Sequence, residues 1–278
     1  MPPPGPLVQP DWLRAHHAEA VILDASYYLP TEGKDAAALF LAGHLPGARF
    51  FDIDKISDPA TPLPHMLPTP ADFAEAAAAL GAADDRMIVV YDQRGIFSSA
   101  RAWWMFRVFG HDNVCVLDGG LPAWIAAGGA LETGTPPPAP QALFTPAFRP
   151  DMVRSLPEML ENLSHPAATV LDARSAARFD GSVAEPRAGM KSGHIPGARS
   201  LPFGDLLSDG RLRPPAELRA RFAAAGIDPS RPTITTCGSG VTAAVLNLAA
   251  IVAGLPEPAL YDGSWSEWGS RDDTPIEV

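Results

Sequence analysis

Gly43-His44-Leu45-Pro46-Gly47-Ala48-Arg49 returns as Gly193-His194-Ile195-Pro196-Gly197-Ala198-Arg199. Working outward from this pair, three further segments recur in the same order. Val21-Ile22-Leu23-Asp24-Ala25 matches Thr169-Val170-Leu171-Asp172-Ala173, and Ile88-Val89-Val90-Tyr91-Asp92 matches Thr233-Ile234-Thr235-Thr236-Cys237. Val116-Leu117-Asp118-Gly119-Gly120 matches Ala259-Leu260-Tyr261-Asp262-Gly263, each followed by a tryptophan. A period of about 147 residues is far longer than any solenoid repeat, so the chain holds two copies of a whole domain. Each copy alternates short β-branched runs with alanine-rich helical runs, the pattern of a parallel sheet covered on both faces. The expected class is therefore α/β, two tandem domains, each a doubly wound parallel sheet. We place the domains at 8–132 and 151–278, with 133–150, which begins Thr133-Gly134-Thr135-Pro136-Pro137-Pro138, as a stiff extended linker.

Within the first copy, strands are expected around 21–25, 87–91 and 114–117, and helices around 70–79, 98–109 and 121–127. Thr69 as N-cap with Pro70 at the first helical position marks the start of the helix at 70. In the second copy, strands are expected around 169–173, 233–236 and 259–261, and helices near 155–163, 215–225 and 241–253. Ser155-Leu156-Pro157-Glu158 fits a capping box.

Composition narrows the function. With 278 residues, 46% hydrophobic and 19% charged, the chain can bury two ordinary cores, and wholesale disorder is excluded. A net charge of −11 leaves no excess of cations to neutralise phosphates, which argues against a nucleic-acid binder. The opening Met1-Pro2-Pro3-Pro4-Gly5 lacks the basic and apolar regions of a secretory signal. No run is long and apolar enough to span a bilayer. Cys115 and Cys237 are the two cysteines, too few for a disulfide framework or a four-cysteine metal site. These readings together place the protein in the cytoplasm, free of membrane and nucleic acid.

The chemistry is expected where the strand at 233–236 ends, in Cys237-Gly238-Ser239-Gly240-Val241-Thr242. Open parallel sheets bind ligands at the carboxyl ends of their strands. Two glycines let the backbone curl around the sulfur with N–H groups turned inward, and the following helix adds its positive end. Both favour a thiolate nucleophile. Cys115, inside an apolar strand, reads as packing. A cysteine phosphatase needs an arginine six positions after the cysteine; Ala243 stands there, and that class is set aside.

The duplicated domains, the Gly-His-(Leu/Ile)-Pro-Gly-Ala segments, the Asp-Gly-(Gly/Ser) segments with their tryptophan and the single cysteine loop resemble the tandem rhodanese sulfurtransferases. The likeness runs from about Asp11 to the C-terminus. Within that family the loop Cys237–Thr242 is similar to that of members that use 3-mercaptopyruvate, whereas thiosulfate-specific members carry Arg and Lys where Gly238 and Ser239 stand. The resemblance implies transfer of sulfane sulfur through a persulfide on Cys237, with release of pyruvate and no metal or organic cofactor. The acceptor it implies is a small thiol, a thioredoxin-like protein or cyanide.

By the same resemblance Cys237, Ser239, His65 and Asp54 are catalytic. Arg178, Arg187, Gly238, Gly240, Val241 and Thr242 bind the donor. The stretch from Arg178 to Arg187 lacks periodicity and reads as a loop able to overhang a cleft between the two domains. His65 and Asp54 are placed with the first copy. Arg174, His44 and His194 read as structural, and Asp92, at the place of Cys237 in the first copy, carries no sulfur. Thiosulfate:cyanide sulfur transfer and a sulfur-relay or partner-binding module are the alternatives.

Overall fold

The computed structural model describes residues 4–278. The chain forms two compact units. The first comprises the described residues up to Pro59, Leu67–Arg149 and Asp209–Leu212; the second comprises Ala60–Met66, Pro150–Ser208 and Arg213–Val278. Each unit thus takes a short segment numbered within the other copy.

The first unit contains β1 (Leu7–Val8), α1 (Pro10–His16), β2 (Ala20–Asp24), α2 (Ala36–Ala42), β3 (Arg49–Phe50), α3 (Pro70–Ala79), β4 (Met87–Tyr91), α4 (Ser99–Val108), β5 (Val114–Leu117) and α5 (Gly120–Ala126). Its sheet is parallel, in the order β1-β5-β4-β2-β3. The central strand β4, Met87-Ile88-Val89-Val90-Tyr91, is buried at every position, as expected for a strand covered on both faces. Helix α4 is buried nearly all round, including Trp103, Trp104 and Arg101, which explains why it shows no polar stripe. Asp72 N–H donates to Thr69 Oγ1 at 3.2 Å, the cap expected for α3. The proline-rich stretch after Thr133 forms no helix or strand and is counted with the first unit: Gly134 N–H donates to Leu41 O at 2.8 Å, Phe144 meets Phe73 and Phe106, and Ala147 N–H donates to Phe109 O at 2.9 Å.

The chain continues with β6 (Val153–Arg154), α6 (Leu156–Ser164), β7 (Thr169–Asp172), α7 (Ala176–Phe179), β8 (Arg199–Ser200), β9 (Leu207–Ser208) and β10 (Arg211–Leu212). It ends with α8 (Pro215–Ala224), β11 (Thr233–Thr236), α9 (Ala243–Val252), β12 (Ala259–Tyr261) and α10 (Ser264–Trp268). The second sheet has the order β6-β12-β11-β7-β8, again parallel, and so repeats the first strand for strand. The capping box before α6 is present: Glu158 Oε2 accepts from the Ser155 N–H at 2.8 Å and its Oγ at 2.6 Å.

The two Gly-His-x-Pro-Gly turns are structural in the same way. His44 Nδ1 lies 2.8 Å from Phe40 O with its ring stacked on Phe40, and His194 Nδ1 lies 2.8 Å from Phe179 O, stacked on Phe179. Each also forms a backbone bridge, His44 with Glu132 and His194 with Glu277. Cys115 is fully buried in β5, and burial pushes its thiol well above the ordinary range, so it stays protonated packing. Among the described residues no helix is long and apolar enough to cross a membrane.

Arg178 does not lie in an irregular loop but in the single-turn helix α7, four residues being too short to leave a periodic signal.

Candidate active site

The loop Cys237–Thr242 begins where β11 ends and leads directly into α9. Two elements fix it. A buried polar pair pins α9 to the sheet: Thr235 Oγ1 donates to Asn247 Oδ1 at 2.6 Å, and Asn247 Nδ2 donates to Pro258 O at 2.9 Å. From the other side, the start of α10 grips the loop backbone. Trp265 N–H donates to Cys237 O at 2.9 Å, while the Ser266 N–H and Oγ donate to Gly238 O at 2.8 and 2.6 Å. Cys237 N–H donates to Ser264 Oγ at 3.3 Å, and that hydroxyl donates to Tyr261 O at 2.8 Å.

Ser264 adopts φ +50°, a left-handed conformation that a serine accepts here because its side chain is held at both ends. Aligned on the Asp-Gly pairs Asp118-Gly119 and Asp262-Gly263, the position in the first copy that answers to Ser264 is Gly120, φ +54°, where a Cβ would fall 2.2 Å from Asp92 O. The Asp-Gly-(Gly/Ser) repeat therefore marks the element that backs the strand-end loop in both copies, and Ser264 and Ser266 are site residues that sequence reasoning left out.

Cys237 is 1% exposed and Ser239 5%. His65, also buried, places Nδ1 3.0 Å from Ser239 Oγ. It does so with φ +61°, a backbone conformation few non-glycine residues adopt. His65 was numbered with the first copy, but its segment Ala60–Met66 is part of the second unit, which is why it reaches a residue 174 positions away. Asp54 belongs to the first unit. It is exposed, its carbonyl accepting from Ser57 Oγ at 2.6 Å, and it lines a pocket of about 310 Å³ with Tyr28, Lys34 and Asp35.

Arg178 stands against the loop: a Cβ at Gly238 would lie 3.0 Å from Arg178 Nη2. Its guanidinium is held by Glu185, with Nε donating to Oε1 at 3.1 Å and Nη2 to Oε2. Glu185 also takes Arg174 Nη1 at 2.8 Å. Arg174 is buried, bonded to both oxygens of Asp172, and lies 4.2 Å over the Trp265 ring. Burial alone would favour a neutral guanidine, but Asp172 and Glu185 outweigh it and raise the Arg174 pKa. Arg187 is half-buried in the irregular stretch two residues past Glu185. Gly240 has φ +76°, Val241 is buried and Thr242 forms the N-cap of α9. A separate cavity lined by Phe222, Thr233 and Ile234 lies at the amino end of β11, the end opposite Cys237.

In the matching loop of the first copy, backbone N–H groups turn inward onto a side chain. Asp92 is buried, and its carboxylate accepts from the N–H groups of Arg94, Phe97 and Ser99 and from Ser99 Oγ, at 2.7–3.0 Å. Among the described residues no cluster of His, Cys, Asp and Glu has the form of a metal site.

Comparison with known proteins places this geometry in context. Residues 9–127 and 155–271 each match the Rhodanese-like domain. The chain is 45% identical over 270 residues to the 3-mercaptopyruvate sulfurtransferase of Escherichia coli K12, covering 96% of each. It is 43% identical to the Arabidopsis thaliana protein named thiosulfate/3-mercaptopyruvate sulfurtransferase 1, mitochondrial, covering 98% of this chain and 78% of that one. Against Bos taurus thiosulfate sulfurtransferase the identity is 42% over 254 residues, 90% of this chain and 85% of the other. The crystal structure of the E. coli 3-mercaptopyruvate enzyme superposes with a TM-score of 0.86 at 43% identity, covering 95% of this chain and all of that one.

Proposed function

Because the chain belongs to the rhodanese family, and is a sulfurtransferase by its near-full-length relatives, we propose that it moves sulfane sulfur from 3-mercaptopyruvate, through a persulfide on Cys237, to a thiol acceptor. In the first half-reaction the Cys237 thiolate attacks the donor sulfur. A sulfur–sulfur bond forms, the carbon–sulfur bond breaks, and its electron pair leaves on the keto acid as the enolate. Protonation of that carbon yields pyruvate. In the second half-reaction an acceptor thiolate, from a small thiol or a thioredoxin-like protein, attacks the outer sulfur and releases the Cys237 thiolate; cyanide does the same in an assay.

The chain's residues divide this work. Loop N–H groups of Gly238, Gly240, Val241 and Thr242 favour negative charge on the sulfur, an inference supported by the carboxylate that the matching loop holds at Asp92. Arg178 and Arg187 take the donor's carboxylate and carbonyl, since a planar guanidinium meets such groups with paired hydrogen bonds. Ser239, paired with His65 at 3.0 Å, donates to the oxygen on which enolate charge grows. Asp54 is assigned to the same chemistry by the family resemblance, and the chain is proposed to act in the cytoplasm.

Overall similarity does not choose the donor, because relatives named for either donor match at 42–45%. The observation that carries the choice is the approach of Arg178 to Gly238. A cation there suits a carboxylate several bonds from the sulfur, and Gly238 and Ser239 lack the basic side chains a compact dianion demands. Steady-state assays with cyanide as common acceptor test this. We expect kcat/KM for 3-mercaptopyruvate to exceed that for thiosulfate by at least about tenfold. Equal or higher values with thiosulfate overturn the assignment.

A further inference from the structure

Glu185 joins two arginines whose situations differ. Arg174 has every guanidinium nitrogen engaged: its Nε and Nη2 bond Asp172 at 2.7–3.1 Å, Nη2 also reaches Gly193 O at 2.9 Å, and Nη1 goes to Glu185. With its side chain wholly buried and its face on Trp265, whose backbone N–H donates to Cys237 O, this guanidinium has no room for a ligand. It is an anchor. Arg178 is partly exposed, and Glu185 takes it side-on through Nε and Nη2, leaving Nη1 outside that pair. The Glu185 side chain is only 4% exposed, so water does not compete for its oxygens.

A chain of bonds therefore runs from Asp172, at the end of β7, through Arg174 and Glu185 to Arg178 at the edge of the cysteine loop. Arg178 needs this chain. It sits on a single helical turn, followed by Gly181-Ser182-Val183-Ala184, a stretch without regular structure. A long side chain on so short an element samples many rotamers unless something fixes the guanidinium plane. Two negative charges against two positive ones also leave the quartet neutral, so its value lies in direction rather than in net attraction.

We propose that Glu185 is a positioning residue: by holding Arg178 edge-on, it aims that guanidinium at the place beside Gly238 where the donor's carboxylate binds. This rests on the reading of Arg178 given above. If geometry is what Glu185 supplies, removing it weakens donor binding even though it frees the Arg178 charge. A purely electrostatic role demands the opposite sign.

The test is a double-mutant cycle on the full chain, with 3-mercaptopyruvate as donor and cyanide as acceptor. Glu185→Gln removes the charge, and Glu185→Asp keeps the charge but shortens the reach, so it serves where the first variant folds poorly. Each is made alone and with Arg178→Ala, and labelling of Cys237 by neutral iodoacetamide checks that the loop is intact. We expect either Glu185 change alone to raise KM on the order of tenfold, with kcat altered much less, and to add less than about twofold in the Arg178→Ala background. A loss that persists in that background, or a KM that is unchanged or lower, overturns the positioning role. If Arg178→Ala itself leaves KM unchanged, the donor-binding reading of Arg178 fails, and this role fails with it. A wild-type chain that does not release pyruvate refutes the proposed reaction instead.

Discussion

At the scale of single residues, Gly238 carries the most consequence for its size. Its missing side chain is what lets Arg178 Nη2 approach, since even a methyl group there would stand 3.0 Å from that nitrogen. A Gly238→Arg change therefore does two things together. It adds a cation beside the sulfur, suiting a dianionic donor, and it pushes Arg178 away by bulk and like charge, removing the hold we propose for it on a monocarboxylate. Combining it with Ser239→Lys also deletes the hydroxyl that His65 faces. We expect the ratio of kcat/KM for thiosulfate to that for 3-mercaptopyruvate to rise by at least about tenfold, one cation near the reacting sulfur contributing roughly 1–3 kcal/mol. The same two-donor assay measures it, and an unchanged ratio in a folded double variant removes the loop from donor choice.

At the scale of elements, the strand–loop–helix unit occurs twice, opened by Asp92 in one copy and by Cys237 in the other. In β4–α4 the loop closes on the Asp92 carboxylate, and burial raises the Asp92 pKa despite the hydrogen bonds from Ser99, Arg94 and Phe97 that oppose it. A folded value above the unfolded one means the folded state takes up a proton more readily. The stabilising contribution is then full below the ordinary aspartate range and is lost as pH rises through the raised value. Measured by urea unfolding, wild type should gain stability relative to the Asp92→Asn variant as pH is lowered from neutral toward that range. A pH-independent difference would show that the site does not titrate differently on folding. Long, strongly patterned elements such as β4, β11, α3, α4 and α9 were legible in the sequence to within one or two residues. The two-residue strands β1, β3, β6 and β8 and the short helices α1, α2, α7 and α10 were not, because so few residues leave no period to read.

At the scale of the whole molecule, duplication is the governing fact: two sheets of identical strand order, each with its strand-end loop, and a free cysteine opening that loop in one of them. The repeat and the cysteine loop were plain in the sequence. The Ser239–His65 pair was not derivable from the residues themselves, because it joins positions 174 apart and the segment Ala60–Met66 is counted with the second unit despite its number. Glu185 escaped notice for a related reason: a carboxylate between two arginines in an irregular stretch reads as an exposed pair until burial shows otherwise. We propose one sulfur-carrying site per chain, at Cys237. Intact mass spectrometry after adding 3-mercaptopyruvate without acceptor tests it most directly, on wild type, Cys237→Ser and Cys115→Ser. The account predicts a gain of a single sulfur atom in wild type and in the Cys115→Ser variant, reversed by cyanide, and no gain in the Cys237→Ser variant. No gain in wild type, or a gain that survives loss of Cys237, would contradict it.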